Sequence, residues 1–322
     1  MCADALAMMA IMSFSNAPDL RTLGLVAGAL AVDEAFVEKD WFVVQAIRIL
    51  ESLKTGDITP VFSGGTSLLK GHGLIKRFSE DIDFKLGLSD AFLGLSGNQR
   101  RNALSSFKDA LVTGWSEAGF VITEVIARDG NGFIRIEMDY PTLLEGHDAL
   151  RPHILAELSA KPARLEPAPR PVTSFVNAYR SLAAEVDAVA CVDPVETAAD
   201  KLSAFAWRAL TRDRASPKDD PAIVRHLHDL AALEPVVIEH AGFPGLLRET
   251  MFADTGRGSE VSRSKTPAER LEAMIEILAA DPLYPDEYAR FVEGMAFAGA
   301  DEVPSFADAM AAVMRLSELL PA

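Results

Sequence analysis

Two short segments constrain this chain most. Val61-Phe62-Ser63-Gly64-Gly65-Thr66-Ser67 runs from an apolar pair into a glycine turn, and Leu68, Leu69 and Lys70 resume a helical pattern after it. Further on, Asp81-Ile82-Asp83-Phe84-Lys85-Leu86 alternates charged and apolar side chains, the period of a half-buried strand with Ile82 and Phe84 inward. The first segment reads as strand, glycine turn and helix. The second puts two carboxylates on one strand face, about 7 Å apart at Cα for a rise of roughly 3.3 Å per residue. Glycines at a strand end let the backbone approach a bulky anion, and amides opening the next helix point N–H groups at phosphate oxygens. Thr66 and Ser67 add hydroxyl donors, and Lys70 adds a charge. Paired carboxylates share hard divalent cations, magnesium first and manganese in its place, commonly together with substrate phosphates. The two segments therefore predict a metal–nucleotide site, with Gly64, Gly65, Thr66, Ser67 and Lys70 around a triphosphate and Asp81 and Asp83 on the metal.

Around this pair the first half alternates helices and strands. Asp33 to Leu50 has helical apolar spacing, with Glu34, Glu38, Lys39 and Arg48 left for the other side. A second helix is expected over Gln99 to Gly119. Strands are expected over Phe120–Ala127, Phe133–Tyr140 and Ile154–Leu158, the first two separated by the turn cluster Asp129-Gly130-Asn131-Gly132. Prolines 162, 167, 169 and 171 deny a regular element between Lys161 and Pro171 and predict a linker. Beyond it helical patterns dominate: Pro194–Leu210, Ala222–Leu233, Pro244–Phe252, Pro267–Ala280, Asp286–Phe297 and Phe306–Leu320. The expected fold class is α+β: residues 1–165 form a small mixed-sheet domain with N-terminal helices, and residues 166–322 form a helical domain.

Composition narrows the function. With 49% apolar and 24% charged residues over 322 positions, the chain can bury a sizeable core, which excludes wholesale disorder. A formal charge of −16 argues against indiscriminate attraction to nucleic acid or anionic membrane, so any polyanion must be met locally. From Lys201 to Arg225 six basic residues meet three acidic ones, whereas residues 226–322 hold seven basic and seventeen acidic. That basic stretch is the place where a polyanion could be focused. Cys2 and Cys191 form neither a disulfide framework nor a C-x-x-C pair, which fits a reducing cytoplasm and excludes a structural zinc. Met1 to Ser13 lacks a basic n-region and carries Asp4, so it reads as a short helix or frayed end. No apolar run reaches the roughly 18 residues of a spanning helix, and no membrane role is expected.

The segments Val61–Leu68, Leu74–Phe78 and Ser79–Phe84 resemble the first motif of the AbiEii/AbiGii-type nucleotidyltransferase toxins. That family belongs to the nucleotidyltransferase superfamily related to DNA polymerase beta. Ile154-Leu155-Ala156-Glu157-Leu158 resembles the family strand that ends in an acidic residue, which makes Glu157 a third metal carboxylate; Asp139 is a rival, and the sequence leaves both open. The helix around Glu196 and Lys201 resembles the lysine motif, and Arg225-His226-Leu227-His228-Asp229-Leu230 the aspartate motif. The resemblance implies that Lys201 neutralises triphosphate charge, and that Asp229 positions the metal–nucleotide complex or orients Lys201 and Arg225. It also adds Arg77, Ser79 and Arg225 to the nucleotide site and has the helical domain close a cleft over it. Arg225 and Asp229, four apart, share a helix face. His226 and His228 read as caps or surface residues and lack the H-E-x-x-H spacing of zinc ligands. An insertion, Thr211 to Pro221, separates the lysine and aspartate helices.

What the resemblance implies is a magnesium-dependent bacterial enzyme that moves a nucleoside monophosphate from a nucleoside triphosphate to an acceptor. The acceptor would be the end of a tRNA, pyrophosphate would leave, and a cognate antitoxin protein would hold the toxin in check. Two alternatives stay open: a small-molecule nucleotidyltransferase of the aminoglycoside-modifying kind, and a catalytically silent nucleotide- or partner-binding module. A D-x-D glycosyltransferase is less supported, because the Gly-Gly-Thr-Ser turn points at a triphosphate.

Overall fold

The computed structural model describes residues 14, 16–257, 263–297, 299 and 302–320. The helix or frayed end expected over residues 1–13 lies outside them, as does Cys2. The chain divides into two compact units. One holds the described residues up to Gly73 together with Phe78–Val192, and the other holds Leu74–Arg77 with the chain from Asp193 onward.

The first unit is built on a seven-stranded mixed sheet, in the order β3-β4-β5-β2-β1-β7-β6. Its strands are β1 (Ile58–Ser63), β2 (Ile82–Leu88), β3 (Val121–Arg128), β4 (Phe133–Asp139), β5 (Ile154–Ser159), β6 (Ala168–Val172) and β7 (Val186–Cys191). Neighbours β2 and β5 run parallel, as do β1 and β7, and the other pairs are antiparallel. The alternation read from Asp81 onward is present: Ile82, Phe84 and Leu86 are buried, and the residues between them are half-buried. The helices of this unit are α1 (Leu20–Leu30), α2 (Glu34–Ser52), α3 (Gly64–Lys70), α4 (Asp90–Leu93), α5 (Gly97–Ala118) and α6 (Phe175–Tyr179). Phe42, Val43, Val44, Ala46, Ile47 and Leu50 of α2 join Phe62, Ile82, Phe84, Leu111 and Trp115 in one core. The polar side expected for α2 is not a solvated face, because Glu38, Lys39 and Asp40 are all buried.

Two features of this unit correct the sequence reading. The expected linker contains an edge strand: Ala168–Val172, with Pro169 and Pro171 in it, pairs with β7 alone. An edge position tolerates proline because its missing N–H faces away from the ladder. The second feature is the division of the chain, which falls at Val192/Asp193 rather than after residue 165, because β6 and β7 complete the sheet. Cys191 ends β7 fully buried, and burial pushes its thiol up to about 11, so it is no nucleophile at neutral pH.

The second unit is helical: α7 (Pro194–Thr211), α8 (Arg225–Val237), α9 (Phe243–Ala253), α10 (Pro267–Ala280), α11 (Leu283–Met295) and α12 (Phe306–Glu318). Pro194 and Pro267 occupy first turns, where a missing N–H costs nothing, and a capping box between Thr266 and Glu269 opens α10. The helix expected from Ala222 starts at Arg225, after a 3-10 turn at Pro221–Val224. Leu202, Phe205, Leu227, Leu230, Leu233, Leu247, Met274 and Leu316 are buried in this unit. Among the described residues no helix is long and apolar enough to cross a membrane.

Candidate functional site

The glycine turn and the D-x-D strand meet in the first unit. Gly64 has φ +73, and a Cβ there would lie 2.1 Å from Asp83 Oδ2. Only glycine serves at this point, on both conformational and steric grounds. Thr66 fastens the turn to the strand: its hydroxyl donates to the Asp81 carbonyl and lies 3.0 Å from Ser79 Oγ. Thr66 and Ser67 are therefore buried, and the Thr66 hydroxyl is bonded within the protein rather than presented to a ligand. Lys70 is also turned inward. It pairs with the buried Asp40, sits 3.6 Å from the Phe175 ring centroid and lies 3.3 Å from the Thr173 carbonyl. Burial pushes the Lys70 ammonium down and the Asp40 carboxyl up, and each is opposed by the other's charge. The charge that sequence reasoning placed on the phosphates is thus used inside this unit.

Register sorts the carboxylates. Asp83 stands opposite Ser63 on β1 and opposite Glu157 on β5, and Glu157 in turn stands opposite Arg135 on β4. Residues in register on neighbouring strands share a face about 4.8 Å apart, so Glu157 is the carboxylate beside Asp83. Asp139 is exposed at the end of β4, opposite Val121 and four residues from Arg135, roughly 13 Å along the strand.

Asp81 lies just ahead of β2, with a side chain 37% exposed, and Arg151 Nη1 donates to its Oδ1 at 2.9 Å. Sequence reasoning did not single out Arg151. Its place depends on a partly buried network in which Lys39 pairs with Glu80 and donates to the Arg151 carbonyl at 2.6 Å, while Glu80 accepts from the Arg151 amide. No local pattern could have announced a bond spanning 70 residues.

Among the described residues no three His, Cys, Asp or Glu side chains are gathered to hold a metal unaided. The donor set still suits magnesium, which takes oxygen ligands and commonly one or two carboxylates, with waters and substrate phosphates filling the remainder. The Asp83 carboxylate fills the space that a side chain at Gly64 would need, which brings it directly against the glycine turn.

In the second unit Asp229 is fully buried. It accepts a fork from Arg77, Nε and Nη2 each at 2.7 Å, and Lys201 Nζ lies 2.6 Å from its Oδ2. Burial pushes the Asp229 carboxyl up, but Arg77 and Lys201 outweigh that effect and hold the acid well below the usual carboxylate range. The Arg77 guanidinium also faces the Phe291 ring at 5.6 Å. Asp229 thus pairs with Lys201 and with Arg77, and not with Arg225. At the first turn of α8, Arg225 Nη1 binds the Asp220 carboxylate and the Ala222 carbonyl, each at 3.0 Å. His226 and His228 are buried rather than at the surface, and neither His226 nitrogen has a hydrogen-bond partner.

The basic stretch from Lys201 to Arg225 is largely neutralised. Arg208 and Arg225 pair with Asp220, Arg212 with Asp219 and Glu287, and Arg214 with Asp281 and Glu287. The insertion at 211–221 is pinned by these pairs, and most of the positive charge expected to meet a polyanion is matched by neighbouring carboxylates.

Comparison with known proteins places this geometry. The family described as nucleotidyl transferase AbiEii toxin, type IV toxin–antitoxin system, matches residues 48–312. Among solved structures, the nucleotidyltransferase toxin MenT4 from Mycobacterium tuberculosis H37Rv is similar, with a TM-score of 0.51 and 20% identity over 93% of this chain and 99% of that one. At such identity the likeness speaks for the fold. Comparison with curated proteins returns no match. With most of its length matched, the chain belongs to the AbiEii family of nucleotidyltransferase toxins of type IV toxin–antitoxin systems.

Proposed function

We propose that this nucleotidyltransferase moves a nucleoside monophosphate from a nucleoside triphosphate to the end of a tRNA in a bacterial cytoplasm, with magnesium as its metal and a cognate antitoxin protein as its restraint. The observation that carries the reading is the seat of Asp83, between a glycine turn that admits its carboxylate and the in-register Glu157. Asp81 and Asp83 would hold the metal, with Glu157 as third carboxylate in preference to Asp139. Magnesium, when bound there, offsets the charge that develops on the α-phosphate and on the leaving pyrophosphate.

The chain's own residues do the remaining work. The backbone of Gly64 and Gly65 approaches the triphosphate, and Thr66 keeps that turn in step with Ser79 and Asp81. Lys201 would supply charge to the nucleotide by the motif resemblance; burial pushes its ammonium down, and the paired Asp229 opposes that push. Lys70 has no part in this scheme, because its side chain is turned into the first unit, against Asp40, the Phe175 ring and the Thr173 carbonyl.

A second reading, a small-molecule acceptor, is favoured by the pairing of Arg208, Arg212, Arg214 and Arg225, which leaves little unmatched positive charge there for a polyanion. One experiment separates the two. The protein is incubated with each labelled nucleoside triphosphate, Mg²⁺, total RNA and a small-molecule pool, and the products are resolved by class. Label in RNA that depends on Mg²⁺, and is lost in folded Asp81→Asn and Asp83→Asn variants, is the expected result. Mg²⁺-dependent transfer that survives in a folded double variant overturns it.

A further inference from the structure

We propose that Arg151 is a positioning residue whose guanidinium holds the Asp81 carboxylate as a resident cation and which yields that carboxylate to an incoming metal. The inference rests on the proposed role of Asp81 as a metal ligand.

The placement of Arg151 is built. Its loop leaves β4 and is fastened at the near end by Glu38, which accepts from the Thr142 hydroxyl at 2.6 Å and from the Leu143 amide at 2.7 Å. At the far end the Arg151 amide donates to Glu80 and its carbonyl accepts from Lys39, whose side chain is fully buried. Both anchors sit on consecutive residues of α2, which explains why Glu38 and Lys39 are buried rather than facing solvent. The backbone of Arg151 is therefore held while its side chain, 44% exposed, extends to Asp81.

The contact is exchangeable by its own energetics. An ion pair exposed on both sides is worth little, so a divalent cation with phosphate ligands competes against it easily. An arginine keeps its charge at every physiological pH, so an aspartate that awaits a cation is never left facing the neighbouring Glu80 carboxylate unaccompanied. Arg151→Gln leaves both backbone anchors in place and removes the charge together with the reach of the guanidinium.

The test is Mn²⁺ binding to the full chain without nucleotide, read by electron paramagnetic resonance, for wild type, Arg151→Gln, Arg151→Lys, Asp81→Asn and the Arg151→Gln/Asp81→Asn double variant, each checked by thermal melt. The expected result is Mn²⁺ bound about two- to five-fold more tightly by Arg151→Gln, a range set by what an exposed pair contributes. Arg151→Lys falls in between, and the Arg151 effect vanishes in the Asp81→Asn background. If Mn²⁺ binding depends on Asp81 but Arg151→Gln leaves it unchanged or weakens it, the placeholder role is wrong and the two-aspartate site stands. If wild type and Asp81→Asn bind Mn²⁺ equally, the metal reading of Asp81 fails and takes the placeholder with it.

Discussion

Asp81 in the first unit and Asp229 in the second are the same residue type put to opposite uses. Asp81 is more than one-third exposed and holds one partly exposed arginine. Asp229 has no exposure and holds two cations, one through a bidentate fork. Water decides the difference. An exposed carboxylate can trade its partner at little cost, whereas a buried one that loses its partner leaves an uncompensated charge. The first arrangement suits a group that must accept a metal, and the second a group that fixes a neighbouring lysine.

The contrast breaks first at Asp229. Asp229→Ala should strand Arg77 and Lys201 inside the second unit and cost about 3–5 kcal/mol, read as a fall in the denaturant midpoint. Asp81→Asn should stay within about 0.5 kcal/mol of wild type in the same assay. Equal costs at the two positions would dissolve the comparison. Gly64→Ala probes the accessible side. The added methyl meets the Asp83 carboxylate at a positive φ, and a loss of about 1–2 kcal/mol is expected with a larger fall in nucleotide transfer. Stability measured beside transfer rate separates the two effects.

The pH profile sharpens the buried side. Burial holds His226 well below its ordinary range, helped by the charges of Arg225, Lys201 and Arg208, while Asp229 pulls the other way. The folded chain therefore refuses a proton that the unfolded chain takes up below about pH 6.5. Stability should be fully present above that value and fall as pH drops through it, with a slope approaching about 1.4 kcal/mol per pH unit. His226→Leu should flatten the profile in denaturation series between about pH 7.5 and pH 5.5. A small effect is also expected of Arg225→Ala, whose partly exposed pair with Asp220 predicts a change of about 0–1 kcal/mol. A larger loss would mean that Arg225 supports Asp229 after all.

Much of the fold was legible. The strand expected at Asp81–Leu86 appears as Ile82–Leu88, and Pro267–Ala280 forms with the expected bounds, because local signals of period, caps and turns act over a few residues. The edge strand at Ala168–Val172 was not legible, since proline disqualifies a strand only where both sides must be paired. At the site, the meeting of Gly64 with Asp83 was foreshadowed by motif spacing. The arginine partner of Asp229 and the partners of Lys70 and Asp81 were not, and Arg77, Asp40 and Arg151 came from elsewhere in the chain.

The sequence by itself determined where most strands and helices form and where a glycine must stand, because these follow from backbone sterics and side-chain period; which carboxylate lies beside Asp83 was decided by the register of the sheet. Tertiary structure alone decided which charges meet and which stay wet. An ion pair has no sequence signature: its strength depends on distance and on excluded water, and both exist only once the elements have packed.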